Sequence, residues 1–272
     1  MTTPDTAPAG AEFTGRTYLV TGGGSGIGRA IALALAAAGA RPVVAGRTPE
    51  RLDETVALVE KAGGSALAVP TDVRDPQAVD TLVAAAVDRY GRLDGLVNNA
   101  AGNFVAPGID LSPNGWRAVV DIVLNGSYYC TRAVARRLRE QGDGGAILSV
   151  IATYAWHGHP GTVHSAAAKA GVLAMTRTLA VELAPLGIRL NCVAPGPTET
   201  DGAGAALWPT PEARADVLAS VPAGRFATAA EIADAALFLL GDRASYLTGE
   251  CLTLDGGQWL GKQVYGRTTP TA

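Results

Sequence analysis

The amino-acid sequence predicts an α/β fold, a doubly wound parallel sheet of about seven strands in a single domain. Short β-branched and apolar runs alternate along the chain with longer Ala- and Leu-rich stretches of helical periodicity. Parallel neighbours need crossover connections, usually right-handed helices, so such alternation builds a sheet covered on both faces. The apolar runs are spread evenly over the 272 residues, which favours one domain.

Each predicted strand is a short apolar run that precedes a stretch of helical period. Strands are expected near residues 18–21, 42–45, 66–69, 95–98, 146–151, 189–193 and 251–254. Helices are expected near residues 27–39, 49–62, 76–90, 113–140, 164–184, 211–220 and 230–240. Residues 1–13 and 263–272 are expected to be disordered tails on either side of a domain of residues 14–262.

Composition and charge exclude several functions. The net charge is −3, so no basic field exists to hold a phosphate backbone, and we expect no nucleic-acid partner. The three cysteines are odd in number and far apart, which indicates neither a disulfide framework nor a zinc site. No signal peptide and no membrane-spanning run is apparent. We therefore expect a cytoplasmic protein without a membrane partner.

A glycine-rich turn follows the first predicted strand and opens the first helix. Glycines let the chain turn tightly and let backbone N–H groups approach a pyrophosphate at a helix N-terminus. A dinucleotide site of the Rossmann type needs such a turn in its first strand–turn–helix unit. The residues expected to contact the dinucleotide here are Gly22, Gly24, Ser25, Gly26, Ile27 and Gly28.

The second predicted strand ends at Gly46 and Arg47, where the adenosine ribose is expected. An acid there would accept hydrogen bonds from a free 2′-hydroxyl and repel a 2′-phosphate, whereas an arginine attracts the phosphate. Because no acid is present, the expected cofactor is NADP(H). Later strand ends place Asp72 and Val73 near the adenine, and Asn99 and Ala100 along the ribose.

Over residues 15–260 the chain resembles the short-chain dehydrogenase/reductase family. Five markers carry the resemblance in order: residues 21–28, residues 98–102, Asn125 in Leu124-Asn125-Gly126, Lys169 in Ala167-Ala168-Lys169-Ala170-Gly171, and Pro195-Gly196. The resemblance implies a nicotinamide cofactor held also by Lys169, Pro195, Gly196 and Thr198. It also implies a homotetramer assembled through the helices near residues 113–140 and 164–184.

The chain departs from the family's usual catalytic pattern. Members usually carry Tyr-x-x-x-Lys with a serine some thirteen residues before the tyrosine. Here Ser165 stands four residues before Lys169, and Ala152 stands at the usual serine position. A phenol with a pKa near 10 becomes a usable proton donor beside an ammonium group, whereas an aliphatic hydroxyl is far less acidic.

The pattern around Tyr154 resembles the dienoyl-CoA reductase branch of the family. Tyr154 lies fifteen residues before Lys169, and similar segments are residues 99–104, 111–114, 121–126, 165–169 and 195–197. The resemblance implies that Lys169 binds the nicotinamide ribose, that Tyr154 and Asn125 hydrogen-bond the substrate carbonyl, and that Ser165 supports them. Hydride delivered to a conjugated chain pushes negative charge onto the thioester oxygen, which two fixed donors would stabilise.

The substrate, an acyl thioester on this reading, is expected to contact Asn103, Phe104, His164, Trp208 and Arg74. No metal is expected, because His157, His159 and His164 have no acidic residue near them in sequence. Residues 198–212 contain no Arg or Lys, although that branch carries a basic residue there for CoA phosphates. Two alternatives therefore remain: a ketone or alcohol oxidoreductase that uses Tyr154 as its acid on a free metabolite, and a non-catalytic NADP-binding sensor or scaffold.

Overall fold

The computed structural model describes residues 11–200, 207–208 and 210–260. Its strands are β1 Thr17–Thr21, β2 Arg41–Gly46, β3 Leu67–Pro70, β4 Gly95–Asn98, β5 Gly145–Val150, β6 Ile188–Pro195, β7 Thr198–Glu199, β8 Ala227–Thr228 and β9 Cys251–Leu254. Seven form one parallel sheet in the order β3-β2-β1-β4-β5-β6-β9, and β7 pairs with β8. The predicted doubly wound parallel sheet is confirmed.

The helices are α1 Gly26–Ala37, α2 Pro49–Lys61, α3 Pro76–Tyr90, α4 Pro113–Val120, α5 Gly126–Gln141, α6 Tyr154–His157, α7 Val163–Leu183, α8 Pro211–Ala219 and α9 Ala229–Leu240. Local chemistry fixes several of their starts. Asp75 and Ser112 accept backbone hydrogen bonds at the N-termini of α3 and α4, and Thr228 forms a capping box with Glu231 on α9.

Helices cover both faces of the sheet. Neighbouring strand residues point to opposite faces, so Val20 belongs to the core under α1 and α9, whereas Leu19 belongs to the core under α3 and α5. The order of the sheet reverses between β1 and β4. Ligands of such folds bind beyond the carboxyl ends of the strands at this reversal, which places the site between the β1 and β4 ends.

The predicted helix at residues 113–140 is interrupted. Five residues, Asp121–Asn125, form a π-helical turn between α4 and α5. Within it, the Asn125 side-chain amide donates to the Asp121 carboxylate over 2.8 Å. Hydrophobic periodicity does not detect one wider turn, and π turns occur often at functional sites.

The predicted N-terminal tail, residues 1–13, is too long by three residues. Ala11–Phe13 form a 3-10 turn, and the buried Phe13 ring packs 5.8 Å from the Tyr18 ring. The Glu12 carboxylate accepts the backbone N–H of Asp242, which ties the turn to the domain. The rest of both predicted tails lies outside the described residues. No helix in the described part of the chain is long and apolar enough to cross a membrane.

Candidate active site

The turn between β1 and α1 is packed too closely for side chains. Gly22 and Gly26 have φ values of 65° and 52°, a region that favours glycine. A Cβ added to Gly28 would lie 2.3 Å from the Gly22 carbonyl oxygen and 2.4 Å from Asn99 Nδ2. Ser25 precedes α1 without capping it through its side chain. The first-turn N–H groups therefore remain uncapped by Ser25 and suit an anion such as a pyrophosphate.

Residues outside the predicted set support this turn. Thr55 on α2 is fully buried and donates to the Gly23 carbonyl over 3.0 Å. Arg29 on α1 donates to the Gly24 carbonyl and to Thr55 Oγ1. Neither residue carries a sequence signal, because the contacts join two helices that only the fold brings together.

A cavity of about 200 Å³ extends from the turn to the ends of β2 and β3. Its lining includes the predicted residues Gly22, Gly24, Ser25, Arg47, Asp72, Val73 and Ala100. It also includes Thr48, Arg51, Leu52 and Thr71, which sequence reasoning missed. Arg51 stands four residues after Arg47 in the first turn of α2, a spacing that could have identified it. The cavity has the position and the cationic lining of an adenosine 2′-phosphate site.

Arg74, predicted to contact substrate, is held at the edge of this cavity. Its guanidinium pairs with both carboxylate oxygens of Asp72 at 2.9 Å and 2.5 Å. The bond to Arg74 lowers the pKa of the Asp72 carboxyl. Arg74 therefore lies beyond the carboxyl end of β3, with its charge partly neutralised by Asp72.

Asn99 acts as a brace between the ends of β1 and β4. Its side-chain amide donates to the carbonyls of Thr21 and Gly22 over 3.1 Å and 3.2 Å. Thr21 Oγ1 accepts the backbone N–H groups of Asn99 and Ala100, both at 3.0 Å. These bonds fix the two strand ends whose separation defines the ribose portion of the site.

Tyr154 and Ser165 meet at the carboxyl edge of the sheet. Tyr154 begins α6 just after β5, and Ser165 lies in the first turn of α7. Their hydroxyl oxygens are 3.1 Å apart, and Ser165 is buried. Burial raises the pKa of the Tyr154 phenol, and the bond to Ser165 opposes that rise. The phenol is therefore protonated near neutral pH and able to donate.

Lys169 follows Ser165 by one turn on the same face of α7. Its buried amine donates over 2.5 Å to the carbonyl of Val150, which is the last residue of β5. Burial lowers the pKa of the Lys169 ammonium from 10.5 to about 8. A buried lysine whose pKa is lowered and whose amine contacts the end of a strand belongs to a functional site more often than a surface lysine does.

Asn125 and Asn103 differ in whether the side-chain amide donor is already hydrogen-bonded. The Asn125 amide is bonded to Asp121 within the π turn. Asn103, in the segment after β4, uses its Oδ1 to accept the backbone N–H of Phe104 over 3.0 Å. Its Nδ2 is buried and has no hydrogen-bond partner among the described residues. Asn103 therefore presents the less committed donor.

His164 and Phe104 form an adjoining wall. Their rings meet edge to face with centroids 4.5 Å apart, and His164 is buried next to Ser165. The structure thus brings together three of the predicted substrate residues: Asn103, Phe104 and His164. Trp208 instead packs on Phe226, with ring centroids 5.5 Å apart. Within the described residues, no recorded contact joins Trp208 to the Tyr154 and Ser165 pair.

The segment after β6 closes the same edge. Pro195 ends β6, and Thr198 Oγ1 donates to the Gly196 carbonyl over 3.0 Å. Asp255 lies so close to Gly196 that an added Cβ would fall 2.6 Å from the Asp255 side chain. Residues 201–206 and 209 lie outside the described residues. Pro195, Gly196 and Thr198 therefore lie at the carboxyl edge of the sheet, where ligands of such folds bind.

The fold and site together define a dinucleotide-dependent α/β oxidoreductase: a glycine turn at the reversal of a parallel sheet, together with a half-buried tyrosine, a buried serine and a buried lysine at the same sheet edge. Residues 22–258 match a family model described as enoyl-(acyl carrier protein) reductase. A short-chain dehydrogenase structure from Bacillus anthracis is 44% identical, with a TM-score of 0.85, over 93% of this chain and 100% of the other. The chain belongs to the short-chain dehydrogenase/reductase family.

Relatives within the family carry more specific names. A Bacillus subtilis protein named a probable 2,4-dienoyl-CoA reductase, producing a (2E)-enoyl-CoA, is 49% identical over 90% of this chain and 97% of its own length. A peroxisomal 2,4-dienoyl-CoA reductase of Saccharomyces cerevisiae, producing a (3E)-enoyl-CoA, is 37% identical over 91% of this chain and 85% of its own. An Agrobacterium tumefaciens structure with bound NADP is 36% identical, with a TM-score of 0.84, over 92% of this chain and 99% of the other.

These comparisons confirm the predicted family and the predicted enzyme class, a short-chain oxidoreductase. They agree with the predicted resemblance to the dienoyl-CoA reductase branch.

Proposed function

We propose that the protein is an NADPH-dependent reductase of conjugated 2,4-dienoyl thioesters. The observation that carries this proposal is the pair formed by Tyr154 and Ser165 one helical turn before the buried Lys169. Ser165 occupies the position where the family usually carries its tyrosine, and Tyr154 on α6 supplies the phenol instead. The relatives named as 2,4-dienoyl-CoA reductases support the same substrate class.

The described residues fit the dinucleotide. The turn has no room for a Cβ atom at residue 28. Arg47 and Arg51 line the cavity at the ends of β1, β2 and β3. Arg47, Thr48 and Arg51 would hold the 2′-phosphate, which is why NADPH is preferred over NADH. Lys169 would donate to the nicotinamide ribose, and Pro195, Gly196 and Thr198 would border the nicotinamide. When bound, the cofactor supplies a hydride.

Tyr154 and Asn103 would act on the thioester carbonyl. Delivery of hydride to the diene leaves negative charge on the thioester oxygen, and two fixed donors in a water-poor site stabilise it strongly. Tyr154 keeps its proton because its pKa is raised, and Ser165 fixes the direction of its hydroxyl. Asn103 Nδ2 is unpartnered within the described residues, so we assign the second donor to Asn103. Asn125 then maintains the π turn through Asp121.

The reduction is complete when one hydride and one proton have been added. The hydride forms one new C–H bond, the conjugated electron pair shifts toward the carbonyl, and a proton then forms a second C–H bond on the chain. One double bond remains. The residues named above bind and orient the thioester and hold its negative charge during this sequence.

Assembly and location belong to the same proposal. We propose a homotetramer in the cytoplasm with a small-molecule acyl thioester as its substrate. Exposed apolar side chains lie on the helices expected at the interfaces, namely Trp116 on α4, Tyr128 on α5 and Val181 on α7. The free cysteines suit a reducing compartment. Light scattering of the purified protein tests the tetramer.

A ketone reductase acting on a free metabolite is the second candidate. The absence of Arg and Lys from residues 198–212 favours it, because CoA phosphates attract basic residues. Tyr154 would then protonate a carbonyl oxygen directly. A non-catalytic nucleotide-binding protein is less favoured, since it gives no reason for a buried lysine with a lowered pKa.

A substrate panel separates these readings. Purified enzyme and NADPH are mixed with a 2,4-dienoyl-CoA, a 2-enoyl-CoA, the free dienoic acid, and a set of ketones. The proposal predicts NADPH consumption and loss of the dienoyl chromophore with the dienoyl-CoA alone or far faster than with the others. Turnover confined to ketones would establish the second candidate, and nucleotide binding without turnover would establish the third.

A further inference from the structure

His164 is a buried side chain at the candidate site whose chemistry the proposed mechanism leaves unused. It is 1% exposed and lies beside Ser165, the partner of Tyr154. Its ring packs against Phe104, the neighbour of Asn103. His164 therefore belongs to the wall that connects the segment after β4 with the start of α7.

The first turn of α7 fixes the tautomer of this imidazole. The backbone N–H of Ser165 donates to His164 Nδ1 over 2.9 Å. Nδ1 must therefore carry a lone pair, because a proton there would point at the N–H. In the neutral ring the proton then resides on Nε2, which makes Nε2–H a hydrogen-bond donor.

The His164 Nε2–H donor has no hydrogen-bond acceptor among the described residues. In the part of the chain that the structure describes, His164 Nε2 is a buried atom without a hydrogen-bond partner, as is Nδ2 of Asn103, the residue before Phe104. Leaving a buried donor unsatisfied costs about 1–3 kcal/mol. One of these donors belongs to the residue before Phe104 and the other to the ring that packs on Phe104, next to Ser165. Two unpaired donors there indicate that the acceptors arrive with the ligand.

We infer that His164 Nε2–H donates a hydrogen bond to an oxygen of the bound acyl thioester, as a positioning group. The acceptor is a carbonyl oxygen of the acyl–pantetheine portion, since these oxygens are the acceptors that accompany the chain into an apolar wall. This inference rests on the proposed function, because it takes the substrate to be a thioester. It adds a third donor, separate from Tyr154 and Asn103.

Two substitutions separate the acceptor function of His164 Nδ1 from the donor function of His164 Nε2. In His164→Asn the amide oxygen replaces Nδ1 as the acceptor for Ser165, but no donor reaches the Nε2 position. In His164→Gln the amide nitrogen replaces Nε2 as a donor, and the acceptor for Ser165 is lost. His157→Gln, an exposed histidine on α6, is the matched control. Thermal unfolding of each variant reports its stability independently.

We expect His164→Asn to raise the KM for a 2,4-dienoyl-CoA about 3- to 10-fold, the effect of one lost neutral hydrogen bond. Its kcat should change little, because a bond made equally in ground and transition states affects KM alone. His164→Gln should restore KM to near the wild-type value even if it unfolds at a lower temperature. A wild-type KM in His164→Asn, or equal rises in both variants that follow their loss of stability, would overturn the inference.

A spectroscopic readout separates this inference from the proposed function. The chain has three histidines, so ¹⁵N-histidine spectra can be assigned with His157→Gln and His159→Gln. Adding hexanoyl-CoA, which is not reduced, should shift the His164 Nε2–H signal downfield while Nδ1 remains unprotonated. No shift overturns the inference. A shift in an enzyme that does not reduce dienoyl-CoA supports the inference and contradicts the proposed function.

Discussion

The Tyr154 and Ser165 hydroxyl oxygens lie 3.1 Å apart although eleven positions separate the residues in the chain. One comes from α6, immediately after a central strand, and the other from the first turn of α7. Ser165 occupies the position four residues before Lys169 where the family usually carries its phenol. The phenol at this position is thus supplied by α6 and lies within hydrogen-bond distance of Ser165.

Removing the Tyr154 hydroxyl should abolish most turnover. Tyr154→Phe loses the donor to the developing oxyanion, and we expect kcat to fall about 10²- to 10³-fold, the effect of one such donor. The NADPH dissociation constant should stay the same, because Tyr154 is not one of the residues that line the described cavity. Steady-state kinetics and fluorescence titration measure the two quantities. Tyr246→Phe, at a fully exposed tyrosine, is the control, and full activity in Tyr154→Phe would refute the assignment.

The two asparagines should respond differently to substitution. Asn103→Ala removes an unpartnered donor, so we expect a loss of kcat/KM of about 10-fold or more with little change in unfolding temperature. Asn125→Ala removes the bond to Asp121 in the π turn, so its main effect should be on stability. Kinetics combined with calorimetry tests this. A larger kinetic loss in Asn125→Ala than in Asn103→Ala would return the second donor to Asn125.

Arg47 should determine the choice of cofactor. In Arg47→Asp a carboxylate repels the 2′-phosphate and accepts from a free 2′-hydroxyl, so the ratio of kcat/KM for NADPH to that for NADH should fall about 10- to 100-fold. Lys61→Asp changes the same charge roughly 18 Å away, at the far end of α2, and serves as the control. An unchanged ratio in Arg47→Asp would show that Arg47 does not contact the phosphate.

A methyl group at residue 28 should damage the dinucleotide turn. Gly28→Ala places Cβ 2.3 Å from the Gly22 carbonyl oxygen, and the backbone must shift to relieve the clash. We expect the free energy of unfolding to fall by about 1–3 kcal/mol and NADPH affinity to drop. Gly108→Ala, where the nearest atom would be 3.7 Å away, should leave both unchanged. Chemical denaturation and NADPH titration provide the measurement, and a wild-type Gly28→Ala would show that the turn tolerates side chains.

The buried Lys169 should make stability depend on alkaline pH. Its pKa is about 8 in the folded protein and about 10.5 in the unfolded chain, so between these values the unfolded chain binds more protons. Stability contributed by Lys169 therefore rises with pH across this window. Burial raises the pKa values of Cys130 and Cys251, which acts in the opposite direction above pH 9.

The relevant quantity is accordingly a difference between two proteins. The free energy of unfolding of the nucleotide-free wild type, minus that of Lys169→Met, should increase from pH 8 to pH 10.5, because Cys130 and Cys251 titrate in both proteins. Urea denaturation at a series of pH values measures it. A difference that stays flat or declines over the window would mean that Lys169 is not desolvated as the structure indicates.

The sequence predicted what depends on short-range pattern. Short apolar runs between stretches of helical period located the seven strands of the sheet, and the glycines between residues 22 and 28 located the dinucleotide turn. Arg47 was found because it directly follows β2 in a fold whose ligand edge is known. These features need only a residue's position within its own strand, turn or helix.

Features that depend on contacts between distant elements were not predicted. The support of the turn by Thr55 and the burial of Phe13 against Tyr18 arise from packing that local periodicity does not encode. The π turn that places Asn125 against Asp121 has one more residue per hydrogen-bonded turn than the α-helix that the hydrophobic pattern predicted. Tyr154 entered through a family resemblance, and only the structure shows its bond to Ser165.

The destination of the hydride tests the central claim most directly. The enzyme is incubated with NADPH deuterated at the transferable position and a 2,4-dienoyl-CoA, and the product is analysed by mass spectrometry and NMR. The account predicts one deuterium on a carbon of the acyl chain, one remaining double bond and an intact thioester. Deuterium found only on the carbinol carbon of a reduced ketone in a parallel reaction, with the dienoyl-CoA recovered unlabelled, would contradict it.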